Sequence, residues 1–313
     1  MRAAVVEDGN IVVAERADPE PGAGEILVRV RGAGLNGADV LQRAGKYPAP
    51  PGSPPDIPGL ELAGEVVARG PAAERFAEGD RVMAVVGGGG QAELCVVHER
   101  GAMPVPERLS WEEAGAAAEV FTTAHDALFT QAGLASGERL LVHGAAGGVG
   151  TAAVQLGRAV GAHVTATVRD EALRPKVQSL GAEILAPEGF EEHGSFDVIL
   201  ELVGAPNMPA NLTALETGGR IAVIGVGGGP KAELNLLALM GKRGRISGST
   251  LRARPLEEKA AAMRLVEHQV LPLMADGSVR VMVHDAFPLE EVAEAYACFT
   301  AGGKLGKITV TMD

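Results

Sequence analysis

The sequence predicts an α/β protein in which a β-rich segment is joined to a doubly wound parallel sheet. Three observations carry that prediction. The apolar run Arg139–Val142 leads directly into the turn HGAAGGVG at 143–150, and a helical apolar pattern begins at Thr151. From about residue 120 to residue 250, strand-like and helix-like patterns alternate, as they do where helices cross over between parallel strands. Before residue 110, short strand-like runs are instead broken by Gly and Pro clusters.

In the first segment the strand-like runs are Arg2–Val6, Ile11–Ala14, Glu25–Ala33, Glu61–Ala68, Asp80–Ala84 and Gln91–Val97. The stretch Tyr47–Pro58 (YPAPPGSPPDIP) is too rich in proline to be regular and is read as a loop, either a rigid surface crossing or a wall of a site. In the second segment the strands are Arg139–Val142, His163–Val168, Glu183–Leu185, Asp197–Leu200, Gly219–Ile224 and Arg245–Ser249. Helices over Gly148–Val160, Glu171–Leu180, Pro206–Leu215 and Ala232–Met240 alternate with them. A long helical pattern, Leu256–Met274, a strand Arg280–Phe287, a helix Leu289–Thr300 and a strand Gly306–Thr311 close the chain and return to the character of its first part.

The turn carries the first chemical signal. Read as A-x-G-x-x-G from Ala145, it opens a helix whose unpaired N–H groups and positive dipole end suit a pyrophosphate. Gly147 lets the backbone approach the anion, Gly150 lets the helix lie close to the strand, and Ala145, Ala146, Gly147, Gly148 and Val149 are the expected contacts. In folds that bind NAD, an acidic residue about 20 positions on accepts from the ribose 2′-hydroxyl. Here that place is taken by Arg169, nineteen residues after Gly150. A guanidinium there attracts a 2′-phosphate, so the expected cofactor is NADPH. Arg174 and Lys176 add positive potential nearby, whereas Asp170 opposes it if it turns inward. Gly225 follows the run Ile221–Ile224 and so falls at a strand C-terminal end, where cofactors bind in open α/β sheets.

Composition excludes several classes. Twenty-eight basic against 40 acidic residues leave a net charge of −12 among 313 residues, which argues against nucleic-acid or anionic-membrane binding. Cys95 and Cys298 are too few for a disulfide framework or a four-cysteine zinc site. No apolar run approaches the roughly 18 residues needed to span a bilayer, so a cytoplasmic protein with no membrane partner is expected.

Several further segments resemble one family. Gly34-Leu35-Asn36-Gly37-Ala38-Asp39, Pro58-Gly59-Leu60-Glu61-Leu62-Ala63-Gly64, Gly79-Asp80-Arg81-Val82, the turn at 143–150 and Gly303-Lys304-Leu305-Gly306-Lys307 are together similar to the medium-chain dehydrogenase/reductase superfamily. Gln42–Tyr47 and Gly88–Ala92 place the likeness in its zinc-free, zeta-crystallin-like quinone oxidoreductase branch, nearest the stress-induced animal subgroup. The resemblance implies a GroES-like domain at 1–118 and 256–313, with an NADPH-binding Rossmann domain at 119–255. It also implies Thr123 and Lys307 as cofactor contacts, and Asn36 and Tyr47 as substrate-pocket residues and catalytic candidates.

Zinc-dependent members take their catalytic ligands at positions matching Asn36, Leu60 and Glu119. Leu cannot ligate zinc, and an Asn/Glu pair replaces the usual nitrogen and sulfur donors poorly, so no metal is expected. The reaction then needs a hydride donor and an acceptor that tolerates added charge, which a quinone or a conjugated carbonyl does. The acceptor stays open at this point between a quinone and a 2-alkenal or enone. A sensor or scaffold that binds NADPH without turnover is the non-enzymatic alternative. Asn36 and Tyr47 each have a structural reading too, as a turn residue and as packing on the Pro-rich loop. A homodimer is expected, because Arg245–Ser249 leaves an edge strand that a twofold partner would pair.

Overall fold

The computed structural model describes residues 1–312 and divides the chain into two compact units. Unit 1 comprises Met1–Thr122, Leu251–Gly302 and the chain from Lys307 on; unit 2 comprises Thr123–Thr250 with Gly303–Gly306.

Unit 1 opens with strands β1 (Arg2–Glu7) and β2 (Asn10–Glu15), an antiparallel pair. Then come β3 (Glu25–Gly34), β4 (Glu61–Arg69), β5 (Arg81–Val85), β6 (Leu94–His98) and β7 (Ala102–Pro104). In β3, Ile26, Val28 and Val30 alternate inward, the period-2 pattern of a half-buried strand. Between β3 and β4 the helix Gly37–Arg43 is capped reciprocally: Asp39 accepts from the Asn36 N–H, while the Asn36 side chain faces the Asp39 N–H.

Unit 2 supplies β8 (Arg139–Val142), β9 (His163–Thr167), β10 (Glu183–Leu185), β11 (Phe196–Glu201), β12 (Leu215–Val223) and β13 (Arg245–Gly248). All pair in parallel, in the order β10-β9-β8-β11-β12-β13. Sequence order therefore reverses between β8 and β11, the switch point of a doubly wound sheet. The central strands β8 and β11 carry the apolar runs Leu140–Val142 and Val198–Leu200, as strands buried on both faces do, and Leu141, Ile199, Leu215 and Ile221 share one core with Phe190 and Phe196.

The chain returns to unit 1 as β14 (Val283–Pro288) and β15 (Lys307–Thr311), giving the order β14-β15-β3-β4-β5-β7 with β6 also on β3. Among the described residues of this unit only β14 and β15 run parallel to each other. Tyr296, fully buried on the helix Val292–Ala301, packs into the core of this sheet and donates its hydroxyl to Gln91 Oε1 at 3.0 Å.

Several helices are shorter than their patterns. The expected Glu171–Leu180 helix starts as a 3-10 turn, and its α-helical part is Arg174–Gln178, with Pro175 in the first turn. The Ala232–Met240 pattern becomes Leu236–Lys242, because Asn235 caps it by accepting from the Ala238 N–H. The long Leu256–Met274 pattern divides into Leu256–Gln269 and Leu271–Asp276, with Pro272 opening the second piece. No helix among the described residues is long and apolar enough to cross a membrane.

Candidate active site

In unit 2 the turn 143–150 leaves the C-terminal end of β8 at the switch point. The helix Gly148–Ala159 follows it, with Gly147 in the extended cap position. Its first intrahelical bond runs from the Thr151 N–H to the Gly147 carbonyl at 2.8 Å, so the N–H groups of Gly148, Val149 and Gly150 precede the ladder. Any Cβ at Gly150 would stand 2.6 Å from Ala145 Cα, which is why the helix can start this close to the turn only with glycine there. Ala145 is buried, and the Ala146 carbonyl accepts from the Gly306 N–H at 2.7 Å.

Beneath this turn lies a buried polar chain that the sequence did not announce. His143, Asn211 and Glu201 are all fully buried. The Glu201 carboxylate accepts from the Val203 and Gly204 N–H groups at 2.6 and 2.8 Å and from Asn211 Nδ2 at 2.6 Å. That bond turns the Asn211 amide oxygen toward His143 Nε2 at 2.7 Å, so Nε2 carries the proton and Nδ1 accepts from the Thr167 hydroxyl at 2.9 Å. Burial pushes the His143 pKa down, keeping the ring neutral. The chain ties the ends of β9, β8 and β11 together, and the Gly225 N–H joins it by donating to the Glu201 carbonyl at 3.1 Å.

Arg169 follows β9 by two residues. It is exposed, and among the described residues its guanidinium has no hydrogen-bond or ion-pair partner. Asp170 is turned to capping, accepting from the Ala172 N–H at 3.0 Å. Arg174 donates to the Val168 carbonyl at 3.1 Å and pairs with Glu171, which anchors it beside the strand end. Thr123 is buried on the helix Ala118–His125.

In unit 1 the candidate residues converge on charges rather than on backbone. Glu61 and Asp39 are fully buried and Lys307 is 3% exposed. The Lys307 ammonium donates to the Leu35 carbonyl, to Asn36 Oδ1 at 2.6 Å and to Glu61 Oε1 at 2.7 Å, which uses all three of its hydrogens. Asn36 spends its amide hydrogens on Glu61 Oε1 (3.0 Å) and the Gly34 carbonyl (3.2 Å). The Glu119 N–H completes the cluster on Glu61 Oε2 at 2.9 Å. Asp39 accepts from the Asn36 and Gly59 N–H groups, yet burial outweighs those bonds and lifts its pKa from the ordinary 3.8 to about 6. Gly59 sits at φ +105°, and a Cβ there would meet Gln91 N at 2.5 Å, so this approach needs glycine.

Tyr47 is half-buried at the head of the Pro-rich loop. Its hydroxyl has no hydrogen-bond partner among the described residues, while the Arg252 guanidinium lies over its ring, 5.1 Å from the centroid. Arg252 itself escaped the sequence reading. It stands in the charged stretch Arg252-Ala253-Arg254, where no pattern separates a buried arginine from a solvated one. Cys95 is buried in the core, and that burial pushes its thiol up to about 12, making it an inert apolar residue.

Residues 22–130 match the family model for the alcohol dehydrogenase GroES-like domain, and residues 148–268 match that for the zinc-binding dehydrogenases. Over 311 residues the chain is 32% identical to the quinone oxidoreductase of Homo sapiens, covering 95% of this chain and 92% of that protein. The chain belongs to the medium-chain dehydrogenase/reductase superfamily. Its relatives there include quinone oxidoreductases; unit 1 carries the superfamily's GroES-like fold and unit 2 its parallel sheet. An alcohol dehydrogenase superfamily protein from Novosphingobium aromaticivorans superposes with a TM-score of 0.88 at 28% identity, with both chains fully covered. A crystallised NAD-dependent alcohol dehydrogenase gives 0.86 at 28% identity, again with full coverage. Membership makes this chain an oxidoreductase and implies a nicotinamide cofactor.

The second matching family is named for zinc, but the donor set of this member does not fit that ion. Leu60 offers no donor, the Asn36 amide oxygen is taken by an ammonium, and the Glu61 carboxylate is already neutralised by Lys307. Among the described residues no group of three His, Cys, Asp or Glu side chains is placed to hold a metal. A nicotinamide cofactor fits better: the free N–H groups after Gly147 and the unpaired guanidinium of Arg169 offer what a pyrophosphate and a further anionic group require.

Proposed function

We propose that this chain is an NADPH-dependent quinone oxidoreductase that works without zinc. The observation that carries the reading is the Lys307–Asn36–Glu61 cluster, a resident ammonium among the very side chains that would have to release a metal's donors. The choice of NADPH over NADH is supported by Arg169, whose guanidinium stands unpaired after β9 while Asp170 is committed to capping. Ala145, Ala146, Gly147, Gly148 and Val149 would hold the pyrophosphate, Arg169 and Arg174 the 2′-phosphate, and Thr123 and Gly225 the rest of the dinucleotide. The bound nicotinamide supplies the hydride.

The protein's share of the chemistry is to place the acceptor and to meet the charge that develops on its oxygen. Tyr47 has the free hydroxyl for that bond. Asn36 is the second candidate, and its 3.2 Å bond to Gly34 is the one it would exchange for an acceptor oxygen. Lys307 acts through Asn36, holding the amide in one orientation. The division into an NADPH-binding unit and a catalytic unit belongs to the same proposal.

The test is the initial rate of NADPH oxidation without added metal, with ortho- and para-quinones, a 2-alkenal and a simple ketone as parallel acceptors. Fast quinone turnover that survives chelator is the expected result. Preference for the 2-alkenal would reassign the site to enone reduction, and silence with every acceptor would favour the binding-only reading.

A homodimer is part of the proposal. Among the described residues β13 ends the parallel sheet as an unpaired edge, and on the preceding helix Leu236, Leu237 and Met240 are 66%, 76% and 70% exposed. Pairing β13 across a twofold axis would satisfy its backbone, and a second copy would cover those side chains. Light scattering at micromolar concentration should give about twice the chain mass; a monomer would refute it.

A further inference from the structure

The loop Tyr47–Pro58 poses a bonding problem. Pro48, Pro50, Pro51, Pro54, Pro55 and Pro58 have carbonyl acceptors but no N–H, so the loop cannot build a backbone ladder of its own. Its donors must come from elsewhere. Arg252, 205 residues away in sequence and only 3% exposed, supplies them. Its Nη1 donates to the Tyr47 carbonyl at 3.1 Å, its Nε to the Gly87 carbonyl at 2.7 Å, and its Nη2 to Gln42 Oε1. Gln42 passes the restraint on, donating from Nε2 to the Pro55 carbonyl at 3.1 Å. The Gly87 turn in turn seats the middle of the loop: a Cβ at Gly87 would stand 2.1 Å from the Ser53 hydroxyl, and the Gly89 N–H donates to the Ile57 carbonyl at 2.9 Å.

Among the described residues Arg252 has no carboxylate within ion-pair distance. Its charge is carried by three oxygen dipoles, by the face of Tyr47 and, from beyond contact distance, by the buried Asp39 carboxylate. A buried guanidinium with no carboxylate in direct contact is a costly way to fill space, and an apolar side chain of the same volume would do so more cheaply. What an apolar side chain cannot do is hold the Tyr47 carbonyl and ring together while leaving the phenol hydroxyl free.

We propose that Arg252 is the positioning residue for Tyr47, fixing ring and backbone so that the phenol hydroxyl is presented to the acceptor oxygen. The inference rests on the role given to Tyr47 above. Arg252 touches neither hydride donor nor acceptor; it sets the rate through the residue it clamps.

The test is a double-mutant cycle on the full-length protein: Tyr47→Phe, Arg252→Met and the double variant, with Arg252→Lys as the conservative change. Each is measured for kcat and KM with one para-quinone at saturating NADPH, for NADPH affinity by fluorescence titration, and for thermal midpoint. Tyr47→Phe should lower kcat/KM about 100-fold and Arg252→Met about tenfold, chiefly in kcat. The double variant should be no slower than Tyr47→Phe within about twofold, because a clamp has nothing left to position once the hydroxyl is gone. NADPH affinity should stay within about twofold. Arg252→Lys keeps the charge over the ring but loses the fork, and its rate should lie between wild type and Arg252→Met. Should Arg252→Met fail to fold, Gln42→Ala cuts one strand of the same clamp and should show the same non-additivity at smaller amplitude. A wild-type rate for Arg252→Met, or losses that multiply in the double variant, would overturn the proposal while leaving Tyr47 in its role. A wild-type rate for Tyr47→Phe would overturn both.

Discussion

The glycine turn of unit 2 and the buried polar cluster of unit 1 are built from different materials. The turn uses backbone: N–H groups ahead of the first helical bond, with small residues packed close enough that a Cβ at Gly150 would collide at 2.6 Å. The cluster uses side chains: Lys307, Glu61, Asn36 and Asp39, nearly or wholly buried and bonded to one another or to neighbouring backbone. A backbone site is set by which residues are small and where the helix starts, so it is local. A side-chain site is set by which strands lie beside one another, so its members come from 271 residues apart. The two should therefore fail differently under mutation. Damage to the cluster should reach the fold, whereas damage around the turn should reach the ligand.

The largest effect is expected at Lys307. Replacing it by Met strands a fully buried Glu61 carboxylate that has lost its counter-charge, which should cost about 3–5 kcal/mol in chemical denaturation. A loss below about 1 kcal/mol would mean that the ammonium is not needed to keep Glu61 buried, and the contrast between the two sites would weaken.

Next comes Asp39. Its folded pKa of about 6 lies above the ordinary 3.8, so the native state holds the proton more tightly. Its stabilising contribution is present below about pH 4 and is lost as pH rises through 6, a change of roughly 3 kcal/mol in all. Between pH 4 and pH 7 the wild type should lose about 2–2.5 kcal/mol of that relative to Asp39→Asn, whose side chain does not titrate. Parallel pH profiles of denaturation midpoint for the two proteins would show that the buried carboxyl keeps its ordinary pKa.

The smallest effect on the fold is expected at Arg169. Arg169→Ala should leave the thermal midpoint within about a degree, since the side chain is exposed and unpaired. NADPH binding should weaken by about 10–30-fold, the worth of one charge-assisted contact, with NADH binding nearly unchanged. Equal losses for both cofactors would remove the 2′-phosphate assignment.

The same contrast explains what could be read in the sequence. The parallel sheet was legible because its central strands β8 and β11 hold apolar runs, strand-like and helix-like patterns alternate, and the turn between β8 and its helix is marked by glycines. Helix ends were less so: Pro175 and Pro272 fall where the expected helices change or divide, and Asn235 fixed a cap that periodicity alone did not locate. The motifs around Asn36 and Glu61 were visible as short segments, but their bonding to Lys307 was not, because no local pattern states which strand will lie beside β3. Arg252 and Glu201 were illegible for the same reason, each being ordinary among its sequence neighbours; the apolar run before His143 marked it as a strand-end histidine, but not its bonds to Thr167 and Asn211.

By itself, then, the sequence determined whatever depends on nearest neighbours along the chain: strand periodicity, the glycine turn with its helix N-terminus, and the arginine where an acidic residue would select NAD. Tertiary structure alone decided how the buried charges are shared. A buried charge is tolerable only where its partners are, and β15 lying against β3 is what brings the Lys307 ammonium to Asn36 and Glu61.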